Sequence, residues 1–180
     1  MRVMLILIVG MPSSGKTTAA QILGKMGFSV TSTGDVIREE IKRRGLPYTK
    51  ENDRKVADWF HEEGREKIVI DRLLKKVSGE KIVIEGLRDP KQLKELERRT
   101  GKKPVIIAIN SSFESRLKRE LAKRRFLNET EEDLRKRDEA ELRLGEGELI
   151  KMADYAIDNT NLTKEELKKK LKKILQTIKI

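Results

Sequence analysis

The chain has no cysteine and a single histidine, and each scarcity removes a class of chemistry. Without thiols there are no disulfides, no thiolate metal sites and no Cys–His nucleophile. With His61 the one imidazole, a multi-histidine metal site is excluded, and a catalytic triad would have to rest on that side chain alone. His61 stands among Asp58, Glu62 and Glu63, which predicts a solvated helical position. Aromatic residues make up 4% of 180, too few to build stacking platforms for single-stranded nucleic acid. No apolar run approaches the ~20 residues of a membrane-crossing helix. The apolar start is not followed by a small-residue cleavage site, so a soluble, cytoplasmic chain with no membrane partner is expected. There is no Pro/Gly/Ser-rich linker and no internal repeat, and the length favours one domain with embellishments.

Charge is what the chain has in abundance. Lys, Arg, Asp and Glu together are 39% of residues, with a net charge of +11, the composition of an ion-pair-dense thermophile surface. The positive excess has two readings: a groove for polyphosphate or nucleic acid, or lysine excess on solvated helices. Much of it lies between Lys164 and Lys179, which favours the second.

The most informative stretch is Gly10-Met11-Pro12-Ser13-Ser14-Gly15-Lys16-Thr17, which fits the phosphate-binding pattern G-x-x-x-x-G-K-[ST]. Its glycines let backbone N–H groups curl inward around a phosphate chain, its lysine reaches the outer phosphates, and its hydroxyl can join a Mg²⁺ shell. The context agrees. Residues 3–9 are a continuous apolar run of the kind that forms a buried parallel strand. Ala19, Ile22, Leu23 and Met26 then fall at i, i+3, i+4 and i+7, a helix face, and Gly27 stands where that helix would end.

Five apolar stretches, 3–9, 28–32, 81–85, 104–109 and 154–158, alternate with helical patterns, which predicts an α/β fold whose parallel sheet is covered on both faces. From Asp35 to Val77 the pattern is helical throughout, broken at Gly45-Leu46-Pro47 and near Gly64, and too long for one crossover. Asp89-Pro90 starts a helix through about Arg99. Ser111 or Ser112 caps one carrying Phe113, Leu117 and Leu121, assigned to core. A turn follows at Asn128, and Thr130 to Asp133 has capping character for a helix toward Gly145. Thr163-Lys164-Glu165-Glu166 is a capping box for a last helix striped with Leu167, Leu171, Ile174, Leu175 and Ile178.

Three further groups could carry chemistry. In Ser32-Thr33-Gly34-Asp35-Val36-Ile37-Arg38, Asp35 and Arg38 share a helix face at i and i+3, so Arg38 can fork onto a second phosphate. The alternative is an N-cap turn with a surface ion pair. In Glu85-Gly86-Leu87-Arg88, a carboxylate at a strand's C-terminal end is placed to hold Mg²⁺ through its waters, with Arg88 a further phosphate ligand; the alternative is a Glu85–Arg88 pair. Between 116 and 137 arginines concentrate, including Arg124 and Arg125, with Arg116, Arg119 and Arg137 the leading candidates to neutralise a transferring phosphoryl group. Tyr48, Arg54, Trp59 and Arg72 are possible acceptor contacts, Trp59 being more in character as core.

These pieces, in this order, resemble the P-loop nucleoside-monophosphate kinases over nearly the whole chain, and most closely an archaeal adenylate-kinase-related, dephospho-CoA-kinase-like group. Ser32 to Arg38 is similar to the adenylate-kinase turn S-T-G-D-x-x-R. Glu85 to Arg88 stands where those enzymes have D-G-F-P-R, with the acid changed and the arginine one residue closer. Ala153 to Asn161 is similar to the A-D-x-x-I-x-N ending of dephospho-CoA kinases. The resemblance implies a three-layer P-loop fold with five parallel strands in the order 2-3-1-4-5. It further implies a core of 1–34, 78–111 and 145–180, an acceptor-binding helical lobe of 35–77 and a short lid of 112–144. Gly10, Pro12, Ser13, Ser14, Gly15, Lys16, Thr17 and Thr18 would hold ATP, and Thr17 and Glu85 the Mg²⁺. Thr33, Asp35, Arg38, Gly86, Arg88 and Gln92 would hold a small-molecule nucleotide acceptor. Lys16, Asp35, Arg38, Arg116, Arg119 and Arg137 would serve catalysis. The activity so implied is ATP-dependent phosphoryl transfer to a small nucleotide or nucleotide-like acceptor, by a monomer or a homodimer. The alternative from another class is an NTPase that acts as an RNA- or ribosome-associated switch, with nucleic acid as partner.

Overall fold

The computed structural model describes residues 3–123 and 129–178. Strand β1 (Met4–Val9) leads through the phosphate loop into α1 (Lys16–Lys25) and β2 (Ser29–Ser32). Three helices follow, α2 (Thr33–Arg43), α3 (Lys50–Phe60) and α4 (Glu66–Leu74), before β3 (Lys81–Glu85) and α5 (Pro90–Thr100). The remainder is β4 (Val105–Asn110), α6 (Phe113–Lys123), α7 (Glu131–Leu144), α8 (Glu146–Lys151), β5 (Tyr155–Asp158) and α9 (Lys164–Thr177). The strands form one parallel sheet in the order β2-β3-β1-β4-β5, as the resemblance implies.

β1 lies at the centre, and its alternating side chains assign the two faces. Leu5, Leu7 and Val9 enter a core with Val36 and Ile41 of α2, Val56 and Phe60 of α3, Ile70 of α4, Leu96 of α5 and Leu149 of α8. Ile6 and Ile8 point the other way, onto Ala19 and Leu23 of α1 and Leu167 and Leu171 of α9. Each fully buried Leu or Ile contributes about 1.5–3 kcal/mol, so the double cover of β1 makes it the least displaceable element. The loop at its C-terminal end inherits that rigidity.

Local chemistry sets the helix starts. Ser32 caps α2 by accepting from Asp35 N at 3.0 Å, Asp89 caps α5 by accepting from Lys91 N at 2.8 Å, and Thr130 and Thr163 form capping boxes with Asp133 and Glu166. Ser112 rather than Ser111 takes the place before α6, its hydroxyl accepting from Ser115 N at 3.3 Å.

One core assignment is corrected. The buried side chains of α6 are Arg116 and Glu120, while Phe113 and Leu117 are only half-buried and Leu121 is 47% exposed. The helix lies over the phosphate loop rather than over an apolar layer, so its charged face turns inward, where it finds partners, and its apolar stripe faces outward. Asn128, where a turn is expected, and Arg124 and Arg125 lie outside the described residues.

Candidate active site

The loop between β1 and α1 bends through conformations that side chains resist. Gly10 has φ 148° and Gly15 φ 108°. A Cβ on Gly10 would strike the Ile109 carbonyl, and one on Gly15 the Asn159 amide. Ser13 adopts φ 59°, a left-handed geometry uncommon outside glycine. The Lys16 ammonium folds back across this turn, donating to the carbonyls of Gly10 and of Met11, the latter at 3.1 Å.

Distant elements clamp the loop. Gly10 N donates to Glu146 Oε1 of α8 at 2.6 Å. Asn159 Nδ2, just past β5, donates to Ser14 O at 2.8 Å. Arg119 donates to the carbonyls of Ser13 and Ser14 at 3.4 and 3.2 Å, to Ser111 Oγ at 3.0 Å, and to the carbonyls of Asn159 and Thr160. Arg116 donates to Pro12 O at 3.1 Å and holds Asp138 of α7 with both terminal nitrogens, at 2.8 and 2.7 Å. Three chain segments, α8, the stretch after β5 and α6, therefore hold the loop in one shape before any ligand arrives.

On the other side stand β2, β3 and the helix after β2. Thr17 Oγ1 donates to Glu85 Oε1 at 3.0 Å, so a hydroxyl and a carboxylate oxygen, donors of the type a hard divalent cation takes, meet beside Lys16. Asp35 pairs with Arg38 at 2.6 Å and accepts from Ser32 Oγ at 2.8 Å. Both the N-cap turn and the ion pair foreseen for this segment are present, whereas Glu85 bonds Thr17 and not Arg88. Arg88 instead pairs with Glu141 of α7 at 2.9 Å. Thr33 Oγ1 donates to Gly86 O at 2.7 Å, and Arg137 donates to Glu120 at 2.5 Å.

Burial and charge set the protonation of these groups. Burial raises the Asp35 carboxyl, but the bonds from Ser32 and Arg38 outweigh it and hold it below its ordinary value. The same contest at Glu120 leaves its carboxyl at about 2, because burial is outweighed by the Arg137 charge and a bond from Ser13. Glu146 goes the other way. Burial lifts it to about 7 in spite of the Lys16 charge and the Gly10 N–H. His61 is not the solvated histidine expected. It is half-buried at the end of α3, and burial, then the Arg88 charge, hold its imidazole below the usual value.

Two cavities open from the loop. One, of about 590 Å³, runs over α1 toward β5 and α9 and is lined by Gly15, Thr18, Arg119, Asn159 and Lys164 among others. The second, of about 440 Å³, runs toward α2 and α7 and is lined by Thr33, Asp35, Arg38, Gly86, Arg88 and Arg137 among others. They share Ser13, Lys16, Thr17, Gln21 and Lys123.

The structure brings most of the expected site residues together at these two cavities. Pro12 lines the second; Ser14 is buried within the loop, its hydroxyl without a hydrogen-bond partner among the described residues. Gln92 lies apart from both. It is buried, its Oε1 accepts from Arg88 N at 3.4 Å, and it lines a pocket of about 10 Å³ with Thr33, Gly86 and His61. Arg116 is buried with its terminal nitrogens committed, so it ties the loop to α7 rather than swinging over a phosphate. Trp59 is half-buried and sandwiched between Arg44 and Arg65, at 4.5 and 4.2 Å, while Arg72 bonds Glu40. Sequence reasoning missed Glu120, Asp138, Glu141, Glu146 and the loop contact of Asn159. All act across seventeen or more residues of chain, and nothing local distinguishes them from solvated surface groups.

A parallel sheet of this order, with a glycine-turned loop from its central strand into a helix, defines the three-layer P-loop NTPase fold. Two solved structures have it with TM-scores of 0.63 and 20% identity: a shikimate kinase from Acinetobacter baumannii in complex with shikimate, over 97% of this chain and 92% of that one, and TT1252 from Thermus thermophilus, over all of both. Residues 9–143 match the sequence family described as AAA domain.

The chain belongs to the archaeal UPF0200 family. It is 34% identical to the UPF0200 protein of Hyperthermus butylicus, over 97% of this chain and 95% of that one. To those of Pyrococcus horikoshii and Thermococcus kodakarensis it is 36% and 35% identical, with at least 97% of each chain covered.

Proposed function

We propose that the protein transfers a phosphoryl group from ATP·Mg²⁺ to a small nucleotide or nucleotide-like acceptor. The observation that carries this reading is that two cavities meet at Lys16 and Thr17. A hydrolytic switch needs one nucleotide site, whereas transfer needs a donor and an acceptor on opposite sides of the moving group. In this reading the larger cavity takes ATP, with residues 10–18 around its phosphates and Asn159 and Lys164 along its far wall.

Lys16 exchanges its carbonyl partners for the β/γ-phosphates on binding. The Thr17 hydroxyl and Glu85 fit a Mg²⁺ that keeps most of its shell as water and phosphate oxygen. When bound, that ion would neutralise charge on the β/γ-phosphates. Thr33, Asp35, Arg38, Gly86 and Arg88 receive the acceptor, with Arg137 above the transferring group. Arg119, already bonded to the loop carbonyls, stiffens the donor side.

The test is ADP formation with and without candidate acceptors. An acceptor should stimulate it, and Lys16→Ala should lower turnover by ~10³-fold or more while the protein stays folded. An unaffected rate in that variant, or no stimulation by any acceptor, refutes the reading.

A further inference from the structure

The two cavities differ in charge. Among the described residues, the donor cavity is lined by four cations, Lys16, Arg119, Lys123 and Lys164, and by no carboxylate. The acceptor cavity is lined by five cations, Lys16, Arg38, Arg88, Lys123 and Arg137, and also by five carboxylates, Asp35, Asp53, Glu85, Glu120 and Glu141. The adjoining cleft between α3 and α7, about 120 Å³, keeps that balance. Lys50, Arg54, Arg88, Lys136 and Arg137 there face Asp53, Asp58, Glu129, Asp133 and Glu141. One side is built for a polyanion and the other is neutral.

The pairing also resists exchange. Arg88 is held by Glu141, whose side chain is 8% exposed, and Arg137 by Glu120, 4% exposed. A phosphate that displaced either carboxylate from its guanidinium would strand a buried charge, the costly way to break an ion pair. The Arg38–Asp35 pair alone is half exposed, at 48% and 49%, and one guanidinium offsets only half of a phosphate dianion. At the inner end His61, held neutral at pH 7 by burial, lines the small pocket shared with Thr33, Gly86 and Gln92, and its buried Nδ1 has no hydrogen-bond partner among the described residues. A neutral imidazole and an amide suit an uncharged polar edge.

Resting on the phosphotransferase reading above, we infer that the acceptor is an uncharged nucleoside and that the group phosphorylated is one of its hydroxyls, with Asp35 as the proton acceptor. In the step, the hydroxyl oxygen forms a bond to the γ-phosphorus. The bond from that phosphorus to the β,γ-bridging oxygen breaks, ADP leaves with the electron pair, and the hydroxyl proton passes to an Asp35 carboxylate oxygen. Ser32 and Arg38 hold that carboxylate ionised and oriented. A phosphate acceptor would need no such base, since its attacking oxygen is already ionised.

The full chain, with ATP and Mg²⁺, is given adenosine, cytidine, guanosine and uridine in one series and their 5′-monophosphates in another, and the products are read by ³¹P NMR. A new phosphomonoester with at least one nucleoside, at a kcat/KM tenfold or more above that of its monophosphate, is expected. Asp35→Asn should lower that nucleoside's kcat ~10²- to 10⁴-fold with little change in KM. Because the chain holds a single histidine, its imidazole ¹⁵N resonances give a second readout in the unaltered protein, and they should shift when the nucleoside binds. Monophosphates used as well as or better than nucleosides, giving phosphoanhydride products, overturn this inference and leave the phosphotransferase reading standing. Transfer to neither series overturns both.

Discussion

Replacing Glu146 by glutamine should stabilise the protein, and by an amount that grows with pH. The carboxyl is 1% exposed, one oxygen accepts from Gly10 N at 2.6 Å, and the other has no hydrogen-bond partner among the described residues. Burial lifts it from 4.5 to about 7, opposed by Lys16, the Gly10 N–H and Arg88 and reinforced by Glu141. Between those values the folded protein holds a proton that the unfolded chain has released, so stability falls as pH rises through the window and levels off above it. At about 1.4 kcal/mol per pH unit the loss amounts to about 3 kcal/mol. Glutamine keeps an acceptor for Gly10 N and the same volume, and it never ionises. Guanidinium unfolding midpoints at unchanged slope should therefore show variant and parent close together at pH 5, separating toward about 3 kcal/mol at pH 8. A difference that stays flat with pH, or a variant less stable at pH 8, refutes the reasoning. The ionised carboxylate also lies under the loop that the proposal assigns to phosphates, so Glu146→Gln should tighten ATP binding above pH 7 as well.

Arg116→Ala should cost about 3–5 kcal/mol of stability, because it strands the Asp138 carboxylate and the Pro12 carbonyl; Arg116→Ala with Asp138→Ala should recover part of that loss in a double-mutant cycle. Gly15→Ala places a Cβ at φ 108° against the Asn159 amide, so a loss of about 1–2 kcal/mol from the backbone alone should come with weakened ATP binding, read by calorimetry. Glu40 is buried and bonded to Arg43, Arg44 and Arg72. Its bond from Arg43, opposed by burial and reinforced by Arg44 and Arg72, holds its carboxyl well below the ordinary value. Its contribution is therefore complete above about pH 4.5 and lost as pH falls. Glu40→Gln should flatten the acid limb of the stability profile, and an unchanged limb would contradict the assignment.

Some of this protein was legible without coordinates because the signal is local. The glycine-lysine-threonine spacing after an apolar run, the alternation of strands with helices, and the capping residues at Thr130 and Thr163 each operate within a few residues, through backbone sterics and first-turn hydrogen bonds. The placement of Thr17 near Glu85 was also within reach, since a strand end beside the phosphate loop is a topological consequence of a parallel sheet.

What the tertiary structure alone decided is the pairing of charges. In a chain so rich in Lys, Arg and Glu, every helix offers partners, and the one-dimensional pattern cannot say which guanidinium meets which carboxylate. α6 carries an apolar stripe yet turns its charged face inward, because the loop beneath it presents carbonyls and a hydroxyl rather than methyl groups. Arg116 and Arg119 consequently brace the phosphate loop, Arg88 and Arg137 are held by buried acids, and Glu146 sits under Gly10 from 136 residues away. The sequence by itself determined the turn between β1 and α1, because that depends on backbone shape and glycine. The charge left uncompensated in the cavities beside it depends on distances between helices, and only the folded chain sets those.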